Sequence, residues 1–264
     1  VTNIADRKSR KMLHRAKRLN PDSIVVATGC YVDSAEKKGE RDESVDIFIP
    51  NSSKDDITDI VFNEYRSRKK EAADNDTALP KMSETAMKEE HTRAYIKVQN
   101  GCNQYCTYCI IPYVRGPLKS KSIESVVDEV KQLAEKGIKE VVITGIHISS
   151  YGVDSNKSGS FLELEGRPLL ELLEAVSEVS GIERIRISSL EPRIITEKFT
   201  ERLSKIKKIC PHFHLSLQSG CDTVLKRMNR HYTSEEYFEG VEILRKYFEN
   251  PAITTDIIVG FPQE

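Results

Sequence analysis

From Thr92 to Glu264, apolar runs alternate with amphipathic stretches. Short runs rich in β-branched residues at Ala94 to Val98, Glu140 to Ile143, Arg184 to Ile187, Phe213 to Leu217 and Ile253 to Val259 read as strands. Between them, apolar residues at helical spacing predict helices at Ile123 to Lys136, Pro168 to Ser180, Thr196 to Lys207 and Ser234 to Phe248. Five βα repeats, the last without its helix, imply a parallel sheet with crossover helices. No glycine-rich dinucleotide turn follows the first strand, so a full or partial β/α barrel fits better than an open doubly wound sheet. In a barrel the chemistry sits in the loops that follow the strands.

Ahead of that region the pattern is helix (Ala5 to Leu19), strand (Ser23 to Thr28, closed by Gly29), loop, short strand (Val45 to Ile49) and helix (Asp55 to Phe62), as in a small α/β domain. Residues 66–91 are charged, poor in large apolar side chains and interrupted by Pro80. They cannot bury enough surface to offset their ordering entropy and read as a linker. The expected division is a partial domain at 1–65, a linker at 66–91 and a partial barrel at 92–264. The chain opens on Val1 and closes just after an apolar strand that no helix covers, and is read as an internal piece of a longer protein.

Composition narrows the class. With 38% hydrophobic and 31% charged residues, net charge −1 and no apolar run near the roughly 18 residues of a membrane span, the expectation is a soluble cytoplasmic protein without a membrane partner. The balance of charge gives no support to a generally nucleic-acid-binding surface, yet Arg7 to Arg18 carries seven Lys and Arg and no acid. Six cysteines in a reducing compartment point to metal binding or redox chemistry rather than disulfides.

Three of the six stand directly after the first barrel strand as Cys102, Cys106 and Cys109, a C-x3-C-x2-C array. With 6 cysteines in 264 residues, two more at those fixed offsets arise by chance about once in two thousand. A structural zinc site needs four closed ligands, and no fourth cysteine or histidine lies in or beside the loop. Buried structural thiols fit poorly with a turn that also holds Asn103, Gln104 and Thr107. The remaining reading is a four-iron, four-sulfur cluster on three thiolates, with one iron open to a small ligand.

The array, with Tyr108 before its last cysteine, resembles the radical S-adenosylmethionine superfamily. That resemblance implies that Cys102, Cys106 and Cys109 hold the cluster and that its open iron chelates the methionine end of S-adenosylmethionine. Tyr108 then lies against the adenine. Cleavage of the sulfonium releases a 5′-deoxyadenosyl radical. The wider sequence, Gly101 to Pro112 with Arg115-Gly116, Thr144-Gly145-Ile146-His147 through Gly152, Ser188-Ser189-Leu190-Glu191-Pro192, His214 to Gly220 and Asp256 to Pro262, is similar to the methylthiotransferases. Within them the Thr-Gly-Ile-His and Ser-Leu-Glu-Pro segments resemble the MtaB group, which acts on N6-threonylcarbamoyladenosine at position 37 of tRNA.

The resemblance carries further expectations. Cys30, in Thr28-Gly29-Cys30-Tyr31 at the end of a strand, becomes one of three ligands of a second, sulfur-delivering cluster whose other two cysteines are absent from this chain. The piece by itself is therefore expected to be inactive in sulfur insertion, although the whole protein holds two clusters. The expected partners are a tRNA anticodon loop, a flavodoxin- or ferredoxin-type reductant and a sulfur source. Related activities on N6-isopentenyladenosine or on a ribosomal-protein aspartate, and a non-catalytic iron–sulfur module, stand as alternatives.

Strand-end residues complete the candidate site. Thr144 and Gly145 offer a backbone edge to the methionine amino group. Ser189 and Glu191 are candidates for the ribose or the substrate. His214, Ser216 and Gln218 alternate along a strand and share a face, with Gln218 the best contact to ribose or carboxylate. Arg230 offers a guanidinium to the cofactor's carboxylate. Cys210 and Cys221 lack ligand-type spacing and read as structural thiols.

Overall fold

The computed structural model describes residues 3–72, 92–153, 164 and 166–264. The chain divides into two units, Val1–Glu89 with Tyr113–Arg115, and Glu90–Pro112 with Gly116–Glu264.

In the first unit, helix α1 (Asn3–Leu19) places Leu13 against a small cluster of Ala27, Tyr31, Val32 and Val45, which Phe48 also meets. Strands β1 (Val26–Thr28) and β2 (Ile47–Ile49) pair in parallel, with Val26 opposite Ile47. Between them, where a loop was expected, helix α2 (Cys30–Lys38) buries Tyr31, Val32 and Ala35. Three apolar residues in nine are too short a pattern to declare a helical period. A 3-10 turn at Asn51–Asp56 leads into α3 (Ile57–Ala72), which runs into the stretch expected to be a linker. Arg68 helps to hold it there, donating to Asp46 at 2.9 Å and Glu64 at 2.8 Å. Residues 73–91 lie outside those described.

The second unit follows the predicted alternation. Strand β3 (Arg93–Asn100) is followed by a short helix α4 (Ile111–Arg115), whose last three residues are counted with the first unit, then β4 (Lys119–Ser120) and α5 (Ile123–Glu135). Next come β5 (Glu140–Gly145), α6 (Arg167–Ser177), β6 (Arg184–Ile187) and α7 (Glu197–Ser204). The series ends with β7 (His212–His214), α8 (Asp222–Arg227), α9 (Ser234–Tyr247) and β8 (Ala252–Thr254). Parallel pairing runs β3–β5–β6, continues through single bridges at Ile185–Ile209 and Leu190–Leu215, and closes with β7–β8. Apart from β4, which pairs antiparallel with the other edge of β3, the strands follow in sequence order, the order of a partial β/α barrel. Leu169, Leu172, Leu173 and Val176 form one stripe of α6 and are fully buried. They join the same core as Val141, Ile143 and Ile185 of the sheet and Val126 and Val130 of α5.

The last two strands are shorter than their apolar runs. Beyond His214 the chain makes two tight turns, Leu217 N to Leu215 O at 3.0 Å and Ser219 N to Leu217 O at 2.9 Å, and Gln218 has φ 68°. A left-handed residue cannot continue a strand. His214 and Ser216 stand on either side of the buried Leu215, while Gln218 departs from regular strand geometry and keeps a single parallel bridge to Ile257.

Candidate metal centre

The cysteine loop begins where β3 ends, and two features of that junction aim it. The β3–β5 register slips between Lys97 and Gln99, so that Val98 and Gln99 are both buried. Gln99 Nε2 then donates to the carbonyls of Asn100 (2.9 Å) and Gly101 (2.8 Å), while its Oε1 accepts from His147 N (2.8 Å). Gly101 has φ 74°, and a Cβ there would stand 1.9 Å from Pro117 O, so the loop's return strand passes through the space a side chain would need. Gly145 faces Gln99 in the same way, with 2.9 Å between a built Cβ and Gln99 Cβ.

Within the loop Cys102 and Cys106 are buried, Cys109 is half-buried, and all three are free thiols. Cys109 N donates to Cys106 O at 2.9 Å. Arg230 Nη1 donates to Cys106 Sγ at 3.2 Å, with its Nε on Tyr232 Oη at 3.0 Å. Arg230 is thus turned inward onto a cysteine of the array. Burial, and then the neighbouring Cys106 and Cys109, push the Cys102 thiol up to about 11. A thiol so disfavoured as an anion becomes a ligand only with cationic charge beside it, and a metal centre supplies that charge. Tyr108 is half-exposed and meets Phe261 edge to face, with centroids 6.4 Å apart.

The other strand ends show where a ligand would fit. Strand β5 pairs with β6 only as far as Ile143, while Thr144 and Gly145 extend beyond it on β3. Asn100 Oδ1 and Ser188 Oγ are buried without a hydrogen-bond partner among the described residues. Ser189 is exposed and Glu191 is buried. His147 Nε2 lies 2.6 Å from Glu191 Oε2 and is its donor, because an ionised carboxylate has no proton to give. Arg193 Nε donates to Glu191 Oε1, and Ser149 Oγ accepts from the Glu191 amide at 2.9 Å. Burial would raise this carboxyl, but His147 and Arg193 outweigh it and hold it at about 2. Among the described residues no three His, Cys, Asp or Glu side chains converge as ligands of a single ion. Cys102, Cys106 and Cys109 would hold a cluster of several irons rather than one ion.

The sequence reading did not single out Gln99, Gln104, His147, Arg193 or Asn229. Gln104 and His147 lie within the quoted segments and Arg193 beside one, while Gln99 and Asn229 lie outside them. Cys221 differs from the expected structural thiol: it is exposed, and Thr223's hydroxyl followed by the amides of Val224 and Thr223 lowers its pKa. Cys210 is buried, as expected. In the first unit Cys30 follows the end of β1 by two residues and opens α2, and Arg115 Nε donates to its Sγ at 3.1 Å.

The pattern of the Radical SAM superfamily matches residues 96–264. The chain belongs to the radical SAM superfamily. Membership implies a four-iron, four-sulfur cluster and S-adenosylmethionine as its cofactors. The radical SAM chain is 39% identical, over its whole length, to the threonylcarbamoyladenosine tRNA methylthiotransferase MtaB of Aquifex aeolicus, of which it covers 63%. It is 35% identical over 96% of its length to the tRNA-2-methylthio-N(6)-dimethylallyladenosine synthase of Caldicellulosiruptor saccharolyticus, covering 53% of that protein. The chain therefore spans somewhat over half the length of these curated relatives. Among solved structures it is similar to the radical S-adenosylmethionine methyltransferase TsrM of Kitasatospora setae, with TM-score 0.60, 15% identity, and coverage of 96% of this chain and 52% of that one. At that identity the likeness concerns the fold.

Proposed function

We propose that this chain is the radical-generating part of a tRNA methylthiotransferase that converts N6-threonylcarbamoyladenosine at position 37 to its 2-methylthio derivative. The observation that carries the reading is the cysteine loop itself: two buried thiols and a third beside them, at the C-terminal end of the first barrel strand. When bound, the cluster supplies the electron that cleaves S-adenosylmethionine. Cys102, Cys106 and Cys109 are the proposed ligands. Tyr108 stands against the adenine, the unladdered edge of Thr144 and Gly145 receives the methionine amino group, and Ser189 and Gln218 face the ribose. Cys30 is the proposed ligand of a second cluster, for which a single thiolate does not suffice.

Helix α1 supports a tRNA partner. Arg10 and Lys17 are spent on ion pairs with Asp6, Glu40 and Asp46. Arg7, Lys11, Arg15 and Arg18 recur at i, i+4, i+8 and i+11, share one exposed side with Lys8 beside them, and meet no carboxylate among the described residues. Such a stripe suits a phosphate backbone. A reductant of flavodoxin or ferredoxin type, a sulfur source and a cytoplasmic setting belong to the same proposal. No helix among the described residues is long and apolar enough to cross a membrane.

The 35% relative favours a second substrate, the dimethylallyl-type adenosine. Anticodon stem-loops carrying either modification, competed for the reconstituted chain, separate the two; tighter binding of the threonylcarbamoyl form is expected. Reduction with dithionite in the presence of S-adenosylmethionine tests the chemistry. Release of 5′-deoxyadenosine is the expected result, and a cluster that forms without any cleavage would reduce the chain to an iron–sulfur module.

A further inference from the structure

We propose that Glu191 and Asn229 are positioning residues, which hold the cysteine loop in its ligand-ready form before any metal binds. The proposal builds on the reading of Cys102, Cys106 and Cys109 as cluster ligands. A polar loop of this kind has little apolar surface to offset its ordering entropy, and many metal sites are unformed until the ion arrives. Here the loop is gripped from two sides by groups that are themselves fixed.

On one side the chain of contacts starts at Glu191. His147 and Arg193 each take one of its oxygens, Ser149 takes its amide, and Ser150 Oγ lies 2.6 Å from His147 Nδ1. Arg193, oriented by that carboxylate, donates from Nη2 to Gln104 Oε1 at 3.3 Å, inside the cysteine loop. A buried carboxylate is costly unless compensated, so its value here lies in fixing two side chains with charge-assisted bonds. The two segments that set this chain apart in sequence, Thr144 to His147 and Ser189 to Pro192, thus meet in one contact, and that contact points back at the loop.

On the other side the segment after α8 supplies a matching set. Asn229 Nδ2 donates to the carbonyls of Gln104 (3.2 Å) and Tyr105 (3.1 Å). Thr107 N donates to Met228 O at 3.1 Å and Thr107 Oγ1 to Arg227 O at 3.0 Å. Asn229 has φ 57°, where asparagine is tolerated better than most residues, so one residue type satisfies the turn and both carbonyls.

The test uses the full metal-free chain. Cys102 and Cys106 are alkylated in competition with the exposed Cys221, and the ratio is read by peptide mass spectrometry. Gln104→Leu cuts the Arg193 link without touching the Glu191 pair; Asn229→Gly keeps the left-handed turn and removes the amide. Each is expected to raise labelling of Cys102 and Cys106 relative to Cys221 roughly five-fold, the equivalent of one net hydrogen bond. Gln104→Glu, which retains an acceptor for Arg193, is expected to restore slow labelling. Arg202→Met, which breaks the Arg202–Glu174 pair between α6 and α7, lowers stability without changing the ratio. An unchanged ratio in both Gln104→Leu and Asn229→Gly, or an equal rise in Arg202→Met, would overturn the proposal. Should Asn229→Gly fail to fold, Gln104→Leu decides it. Because labelling needs no metal, failure of iron uptake would count against the cluster reading and leave this result standing.

Discussion

The two units use their polar groups in opposite places. The first has a small apolar cluster around Tyr31 and Val32 and fastens its elements with carboxylates. Asp46 accepts from the Val25 amide (2.7 Å), Lys17 (2.9 Å) and Arg68 (2.9 Å), tying α1, the start of β1 and α3 together. Asp42 accepts from Tyr31 at 3.2 Å and from both the amide and hydroxyl of Ser44. In the second unit the helices and sheet are joined by fully buried aliphatic side chains. Two carboxylates are buried among its described residues: Glu140 ties β5 to β6 through Arg184 (2.8 Å) and Arg186 (3.1 Å), and Glu191 sits at the strand ends beside the cysteines. In the first unit carboxylates do much of the fastening; in the second an aliphatic core joins the elements, with ion pairs such as Arg202–Glu174 beside it, and the network around Glu191 holds the site. Stability of the first should follow pH and salt, whereas damage to the polar network of the second should register in the loop before it registers in the fold.

The largest expected effect tests the apolar half of that contrast. Leu173→Ala, at a fully buried position of α6, should cost the second unit about 3 kcal/mol in denaturant unfolding, and Val32→Ala in the first unit about half as much. A loss under about 1 kcal/mol for Leu173→Ala would show that the core is not close-packed.

Acid comes next. Burial would raise the Asp46 carboxyl, but the Val25 amide, Lys17 and Arg68 more than offset it and hold it at about 2. A folded value below the unfolded one means that the stabilisation is complete above pH 4 or so and is lost as pH falls toward 2. The first unit should lose on the order of 2 kcal/mol across that window, and Asp46→Asn should remove most of the dependence, the remainder coming from Asp42, whose burial is outweighed by Ser44 and His14, which hold it low. Glu191 is lowered to about 2 as well, so the second unit shares the sign. With its aliphatic core intact it should loosen at the cysteine loop while the sheet stays protected, and hydrogen exchange at pH 3 distinguishes the two outcomes. Equal loss of protection in both units would break the comparison.

Salt gives the smallest effect. Arg10–Glu40 and Arg68–Glu64 in the first unit are partly exposed, as is Arg202–Glu174 in the second, so raising ionic strength from about 0.05 to 1 M should lower the stability of both slightly, and of the first, with its smaller core, the more.

Much of the second unit was legible in the sequence because its signals are local. Strand β6 coincides with the Arg184 to Ile187 run, and the cysteine spacing needs only eight consecutive positions, Cys102 to Cys109. Helix α2 was not legible, since its three buried residues make no period, and neither was the six-residue α8. The grip on the cysteine loop was hidden for a different reason. Gln104 is 89 positions from Arg193 and 125 from Asn229, and nothing in a single sequence marks such pairs. Arg230 was read by its chemistry as a partner for a carboxylate; its contact with Cys106, 124 positions away, was not legible. Local pattern determined which elements form; the sheet order determined which polar residues meet.

The central claim is that the three-cysteine loop is a cluster site and Cys30 is not one by itself. Anaerobic reconstitution of the full chain, with iron counting and electron paramagnetic resonance with and without S-adenosylmethionine, tests it most directly. About four irons per chain are expected, with a signal altered by S-adenosylmethionine, lost in Cys106→Ala and unchanged in Cys30→Ala. Stoichiometric zinc without iron, or full iron retention in Cys106→Ala, would contradict it.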